Sequence, residues 1–407
     1  MRRQRTLAPF MSCRTILYTG KGGVGKTSVA AATARRSAVA GARTLVVSTD
    51  PAHSLGDALG AQVGAEPTLI GERLWAQQMT AQLELEANWA AVQEWAGDLL
   101  VERGVDRITA DELTVPPGAD ELFALLAIKR HHTSGEFDVV IVDCAPTGET
   151  LRLLSFPDVA RWWLEKVFPQ RGRILDAARP FARAVLDVQL PGEAVLGDVQ
   201  RLVENLIAMH EILRDGEHVS LRLVMNPDRM VVDEARRTFT YLNLYGFVTD
   251  AVVVNRVFPP DVGPYFAAWR ETQQRALREV EAAFAPVPVL QAPYFEAEVR
   301  GDVMLDRLGG ALFEGRDAAA LLYSSVTQAL VVGRDHATLR LDLPFADKGE
   351  LALKKIGPEL VVRVGPHKRT MLLPPALSGY RPSGASFEKD ALVIRFDAPV
   401  EAIASDS

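Results

Sequence analysis

The sequence predicts an α/β fold: a doubly wound, mostly parallel sheet with helical insertions, followed by a C-terminal antiparallel β-sandwich. Three observations predict it. A glycine-rich loop, "GKGGVGKTS" (Gly20–Ser28), stands between a strand-like run and a helix-like run. Apolar, β-branched runs then recur between helical stretches as far as Leu290. Beyond about residue 337 the pattern changes to short, closely spaced alternating runs divided by Pro and Gly.

The N-terminal residues 1–13 carry three arginines and no acid in "MRRQRTLAPF" and lack an apolar signal core, so a disordered tail is expected, with Met11 an alternative start to Met1. "RTILY" (Arg14–Tyr18) reads as the first strand and the Ala-rich Thr27–Ala40 as the first helix. Strand, Gly-rich loop and helix with Gly-Lys-Thr at its start form a P-loop. The backbone of Gly20, Lys21, Gly22, Gly23, Val24 and Gly25, continuing into Lys26, Thr27 and Ser28, would curl around phosphates, aided by the positive end of the helix. Lys26 would reach the β/γ-phosphates and the Thr27 hydroxyl would ligate Mg²⁺.

Further strands are expected at Arg43–Thr49, Phe137–Asp143, Ser220–Asn226, Asp250–Asn255 and Pro286–Leu290, continuous apolar runs suited to a sheet covered on both faces. Ligands of such sheets bind at the carboxyl ends of the strands. Asp50 and Asp143 both end a strand there. Asp50 is placed to orient or deprotonate an attacking water, with a helix N-cap as its alternative role. Asp143 is placed to hold Mg²⁺ through water. Gly148 would allow backbone approach to a γ-phosphate. His53 and Cys144 are read as packing residues.

Helical insertions are expected at about 83–130 and 151–214, and together they would form a subdomain. The second contains Trp162, Trp163, Phe168 and Phe181, which either line a groove or fill a helical core, and then an amphipathic helix with Val199, Leu202, Val203, Leu206, Met209 and Leu213 on one face. A helix is expected over Ala318–Leu330, then a sandwich over 337–398 with a small core of its own, separable from the nucleotide site, and a tail over 399–407.

The 407 residues are 48% hydrophobic, enough for two or three domains. A net charge of −7 argues against a nucleic-acid partner. The two cysteines, Cys13 and Cys144, make no metal-ligand spacing and suit a reducing, cytoplasmic setting. No apolar run approaches the roughly 20 residues of a membrane span, so no stable membrane insertion is expected.

"GKGGVGKT", "DPAHSL" and "DCAPTGETLR" together resemble the arsenite-pump and tail-anchored-protein targeting ATPase family of deviant P-loop ATPases, over about 14–330. "VVNRV" and "PYFEAEVRG" match its adenine-side segments, which implies base contacts from Asn255, Pro293 and Tyr294. The C-terminal runs resemble an α-crystallin domain, as in one subgroup of that family. The resemblance implies ATP and Mg²⁺ as cofactors and hydrolysis of ATP to ADP and phosphate. It also implies a homodimer in which Lys21 reaches the partner's nucleotide, and a hydrophobic protein client such as a tail-anchored membrane protein. An ATP-switched holdase or scaffold is the alternative. Metalloid efflux is disfavoured, because the family's cysteine triad is missing; so is the CxxC zinc clasp of its eukaryotic members.

Overall fold

The computed structural model describes residues 13–50, 54–79, 90, 92–98, 100–101, 106–107, 119–145, 193–324, 327–333, 335–356, 359–373, 377 and 380–398. The main sheet contains β1 (Arg14–Thr19), β2 (Thr44–Ser48), β3 (Thr68–Gly71), β4 (Leu74–Gln78), β5 (Val139–Asp143), β6 (Val219–Met225), β7 (Thr249–Val257) and β8 (Val289–Pro293). Their order is β3-β4-β2-β5-β1-β6-β7-β8. Every neighbouring pair is parallel except the β3–β4 hairpin. The five runs expected beyond β1 all form strands, with ends slightly displaced. β1 lies mid-sheet between β5 and β6, so the chain departs from it in both directions and leaves a crevice above its carboxyl end.

Helices α1 (Lys26–Val39), α5 (Arg229–Tyr245), α6 (Ala267–Phe284) and α7 (Gly301–Phe313) belong to this unit, with the short α2 (Ser54–Leu59). α1 is alanine-rich because it is crowded. A methyl on Gly309 of α7 would come within 3.3 Å of the Ala32 carbonyl, so only small residues let the two helices meet. Arg35 of α1 seals the contact with ion pairs to Asp302 and Asp306.

The expected Ala318–Leu330 helix is a correction: no described residue of that stretch is helical. Its carbonyls are taken by buried arginines instead. Arg222 donates to the Ala318 and Ala320 carbonyls at 2.8 and 3.0 Å, and Arg14 to that of Ala319 at 3.1 Å. Asp250 binds both guanidiniums, so the charges are compensated where they are buried.

A second compact unit spans 79–131 and 152–212. It contains most of α3 (Ala119–Ser134) and nearly all of α4 (Glu193–Leu213). Within it Lys129 donates to Asn205 at 2.7 Å. On the predicted apolar face of α4, Leu202, Leu206 and Met209 are buried. Trp162, Trp163, Phe168 and Phe181 lie outside the described residues, as do His53 and Gly148.

The C-terminal strands make two antiparallel sheets. One is β14 (Arg381–Glu388), β15 (Ala391–Asp397), β10 (His336–Asp342) and β9 (Gln328–Val332); the other is β11 (Leu351–Ile356), β12 (Glu359–Val364) and β13 (His367–Leu372). The sheet therefore starts at Gln328, ahead of the expected start at 337. Alternate residues point inward, among them Leu339, Leu341, Leu360, Val362, Ile394 and Phe396.

The sandwich has the small core of its own that was expected, and one helix of the ATPase unit joins it. Leu244 of α5 is fully buried in it, and Tyr241 packs against it. Arg369, 2% exposed, donates to the Leu244 carbonyl, and Thr240 donates to that of Pro344. The Tyr241 and His367 rings lie 3.9 Å apart, and Phe345 packs near Phe239 and Phe284. The reason is geometric: a three-stranded sheet is too narrow to cover its own inner face, and an amphipathic helix completes it.

Candidate functional site

The loop after β1 is shaped by two glycines. Gly20 passes so close to β6 that a methyl there would stand 2.1 Å from the Val224 carbonyl oxygen. Gly25 is the N-cap of α1 at φ 93°, a left-handed conformation, and its methyl would stand 2.3 Å from Asn255 Nδ2. No side chain caps α1. Its first N–H groups therefore face the cavity, where an anion would satisfy them. Gly22 and Gly23 have open space where a Cβ would be.

That cavity, of about 520 Å³, is lined by the loop from Gly22 to Ser28, by Asp50, by Ser54 and by Arg256. Lys26 is only 6% exposed and donates to the Lys21 carbonyl at 3.3 Å. It makes no ion pair among the described residues. A buried ammonium outside any ion pair is costly unless an anion arrives. Lys21 is 40% exposed and sits 3.5 Å from Glu234 of α5.

The two aspartates stand at the ends of neighbouring strands. Ser48 and Asp143 are register partners across β2 and β5, and Asp50 follows two residues later. Asp50 lines the cavity, its N–H donating to Ser48 Oγ at 3.2 Å and its carbonyl accepting from Gln78 at 2.8 Å. Asp143 is fully buried, and its Oδ1 has no hydrogen-bond partner. Its carboxyl is raised to about 7, chiefly by burial and in part by the Asp50 charge, against the opposing pull of the Thr27 hydroxyl, the Lys26 charge and the Ser48 hydroxyl. Thr27 Oγ1 lies 3.1 Å from Ser54 Oγ. An orphaned carboxylate oxygen and two hydroxyls beside the phosphate cradle are hard oxygen donors, which fit Mg²⁺.

On the other side of β1 a contiguous cavity of about 460 Å³ lies at the ends of β7 and β8, lined by Asn255, Pro293 and Tyr294 among others. Asn255 Nδ2 donates to the Val24 carbonyl at 2.9 Å, and its Oδ1 accepts from Arg256 N at 2.9 Å. The amide thus clamps the loop to β7 and keeps one N–H for a base. Phe258 stacks on Tyr294 with centroids 5.7 Å apart.

Sequence reasoning missed Ser54, Glu234 and Arg256. Ser54 stood within the quoted "DPAHSL" and Arg256 directly after Asn255, so both were within reach. Glu234 carried no motif; only the packing of α5 brings it to Lys21.

Replacing Gly25 by Ala is expected to lower the melting temperature and to abolish the further rise that ATP gives the wild type. The left-handed conformation alone costs a methylated residue about 1 kcal/mol or more, and the clash with Asn255 adds to it. A variant with an unchanged ATP-induced shift, read by differential scanning fluorimetry, would contradict this geometry.

A parallel sheet whose central strand runs into an uncapped helix, with a buried lysine outside any ion pair among the described residues at the helix mouth, is the arrangement of P-loop nucleoside triphosphatases, and fold and site assign the chain to that class. Comparison with known proteins sharpens it. Residues 13–314 match the family described as anion-transporting ATPases, and residues 334–396 match the HSP20-like domain found in ArsA. The chain is 38% identical to a putative arsenical pump-driving ATPase of Chlorobaculum tepidum over 391 residues, covering 94% of this chain and 96% of that one. It is 34% identical over 392 residues to one of Aquifex aeolicus, covering 94% and 99%. It is 28% identical to the ATPase get3 of Aspergillus terreus over 310 residues, covering 74% and 90%. The chain belongs to the anion-transporting ATPase family, in the form that carries a C-terminal HSP20-like domain, and it is an ATPase.

Proposed function

We propose that the chain is a Mg²⁺-dependent ATPase that works in the cytoplasm as a homodimer and couples ATP binding and hydrolysis to the capture and release of a hydrophobic protein client, a tail-anchored membrane protein being the type. The observation that carries the nucleotide part is the buried Lys26, in no ion pair among the described residues, beside the uncapped start of α1. The loop N–H groups and Lys26 bind and orient the triphosphate, drawing charge from its β- and γ-oxygens. Asp50 holds a water in line with the γ-phosphorus and takes its proton as the P–O bond to the β-phosphate breaks. Thr27, and Asp143 through water, would hold Mg²⁺, which would neutralise phosphate charge when bound. Asn255, Pro293 and Tyr294 seat the adenine.

The names of the bacterial relatives favour an arsenical pump instead. Arsenite binds thiolates, and both cysteines of this sequence are poor ones. Cys13 and Cys144 are buried. Burial raises the Cys13 thiol to about 11 and the Cys144 thiol further. Metalloid-stimulated turnover is therefore not part of the proposal. Among the described residues no helix is long and apolar enough to cross a membrane.

Two measurements test the reading. Phosphate release should stop when EDTA removes the divalent cation and return with added Mg²⁺; turnover that persists in EDTA rejects the metal assignment. Sedimentation should show a dimer, and a hydrophobic client peptide should bind one nucleotide state at least tenfold more tightly than the other. Equal binding with ADP and a non-hydrolysable ATP analogue rejects the coupling and leaves the holdase alternative.

A further inference from the structure

Arg256 stands out on four counts. It lines both cavities, at the junction between the phosphate cradle and the base pocket. Its backbone is left-handed at φ 60°, where glycine is the default and an arginine is strained. That conformation is held from both sides: its N–H donates to Asn255 Oδ1 at 2.9 Å, and its carbonyl accepts from Gln273 Nε2 at 3.3 Å. Its side chain is exposed, and its guanidinium makes no ion pair or hydrogen bond with any described residue. A strained backbone that serves an unengaged cation above a cavity is over-determined for a structural role and suited to a ligand.

We propose that Arg256 is a binding residue for the nucleotide's phosphates, engaging the α/β end of the chain while Lys26 engages the β/γ end. The inference rests on the nucleotide reading of this site and adds a contact to it. A guanidinium presents a planar fork that matches two phosphate oxygens, and a charge-assisted pair of that kind is stronger than a neutral hydrogen bond. The placement gives the choice of ligand atom. Gly25 and Ser28 line both cavities together with Arg256, so the residue faces the bend where a nucleotide passes from its base into its phosphates. The Asn255 amide ties this residue and the loop into one element, since it accepts from Arg256 and donates to the Val24 carbonyl.

The test measures affinities of ATP, ADP and adenosine by calorimetry, with melting curves in parallel, for wild type, R256A, R256K, R256G and Lys26→Ala. R256A is expected to weaken ADP and ATP at least tenfold and adenosine hardly at all. R256K should recover part of the loss, because charge returns without the fork. R256G should bind as weakly as R256A yet melt no lower than wild type, because glycine relaxes the left-handed position. ADP affinity unchanged in R256A overturns the proposal. An equal loss for adenosine also overturns it, since the guanidinium would then be stacking on the base. If R256A alone is silent while Lys26→Ala loses ATP, the nucleotide site stands and only this contact fails. If wild type binds no nucleotide, both readings fail together.

Discussion

Asp50→Asn is expected to bind ATP within a few-fold of wild type and to hydrolyse it about 10²–10⁴-fold more slowly. The asymmetry follows from where the side chain stands. Phosphate charge is met by Lys26 and the α1 N-terminus, whereas Asp50 enters the same cavity from the end of β2 and carries no positive charge to hold a phosphate. Asparagine keeps the size and can still hold a water, but it cannot take the proton. The backbone contacts that fix this residue, to Ser48 and Gln78, use main-chain atoms and survive the substitution. A steady-state phosphate-release assay alongside an ATP-binding isotherm checks it. Turnover near normal would remove Asp50 from the reaction, and lost binding would make it a phosphate or metal contact.

The two loop lysines are expected to fail in different ways. Lys26→Ala should lose nucleotide affinity outright, because the buried ammonium is the main positive charge inside the cavity. Lys21→Ala should keep affinity and lose turnover. The Lys21–Glu234 pair is part-exposed, and such pairs contribute about 0–1 kcal/mol, so the lysine can leave it at little cost. The same weakness means that Lys21→Ala should hardly change the melting temperature. Mixed dimers decide whether Lys21 acts on the partner's nucleotide. Co-assembling Lys21→Ala with Asp50→Asn chains makes one composite site with an intact Asp50 and a Lys21 from the other chain. Activity should reappear in that mixture; none, with heterodimers formed, would confine Lys21 to its own protomer.

Much of this site was legible because its chemistry is local in sequence. Loop, lysines and Thr27 fall within nine residues, Gly20–Ser28. Asp50 and Asp143 follow apolar runs whose strand character is plain, and parallel topology then forces their ends together. What was missed depends on distant partners. β4 was hidden by Gln77 and Gln78, polar yet buried because they donate to the Ala65 and Asp50 carbonyls. β14, "RPSGASFE", has the composition of a loop and forms a strand as an edge with a bulge at Pro382/Gly384. The Ala/Leu-rich stretch after Asp317 has good helix propensity, and Arg14 and Arg222 override it by binding its carbonyls. Glu234 and Arg256 acquire meaning only from what folding sets beside them.

The shared core under the sandwich bears on what counts as a transferable piece of this protein. The two family matches divide the chain between residues 314 and 334. A cut at the start of the second match severs β9 from its partner β10, and any cut between the two strips the cover from Tyr241 and Leu244. Uncovering one such leucine costs about 1.5–3 kcal/mol, a large share of a domain's net stability. The sandwich taken alone would lose the helix that closes its narrow sheet. The modular unit is thus sandwich plus the α5 face, two stretches about eighty residues apart in the chain. A gene fusion that appended residues 334–396 to a different ATPase would carry over the strands without their lid.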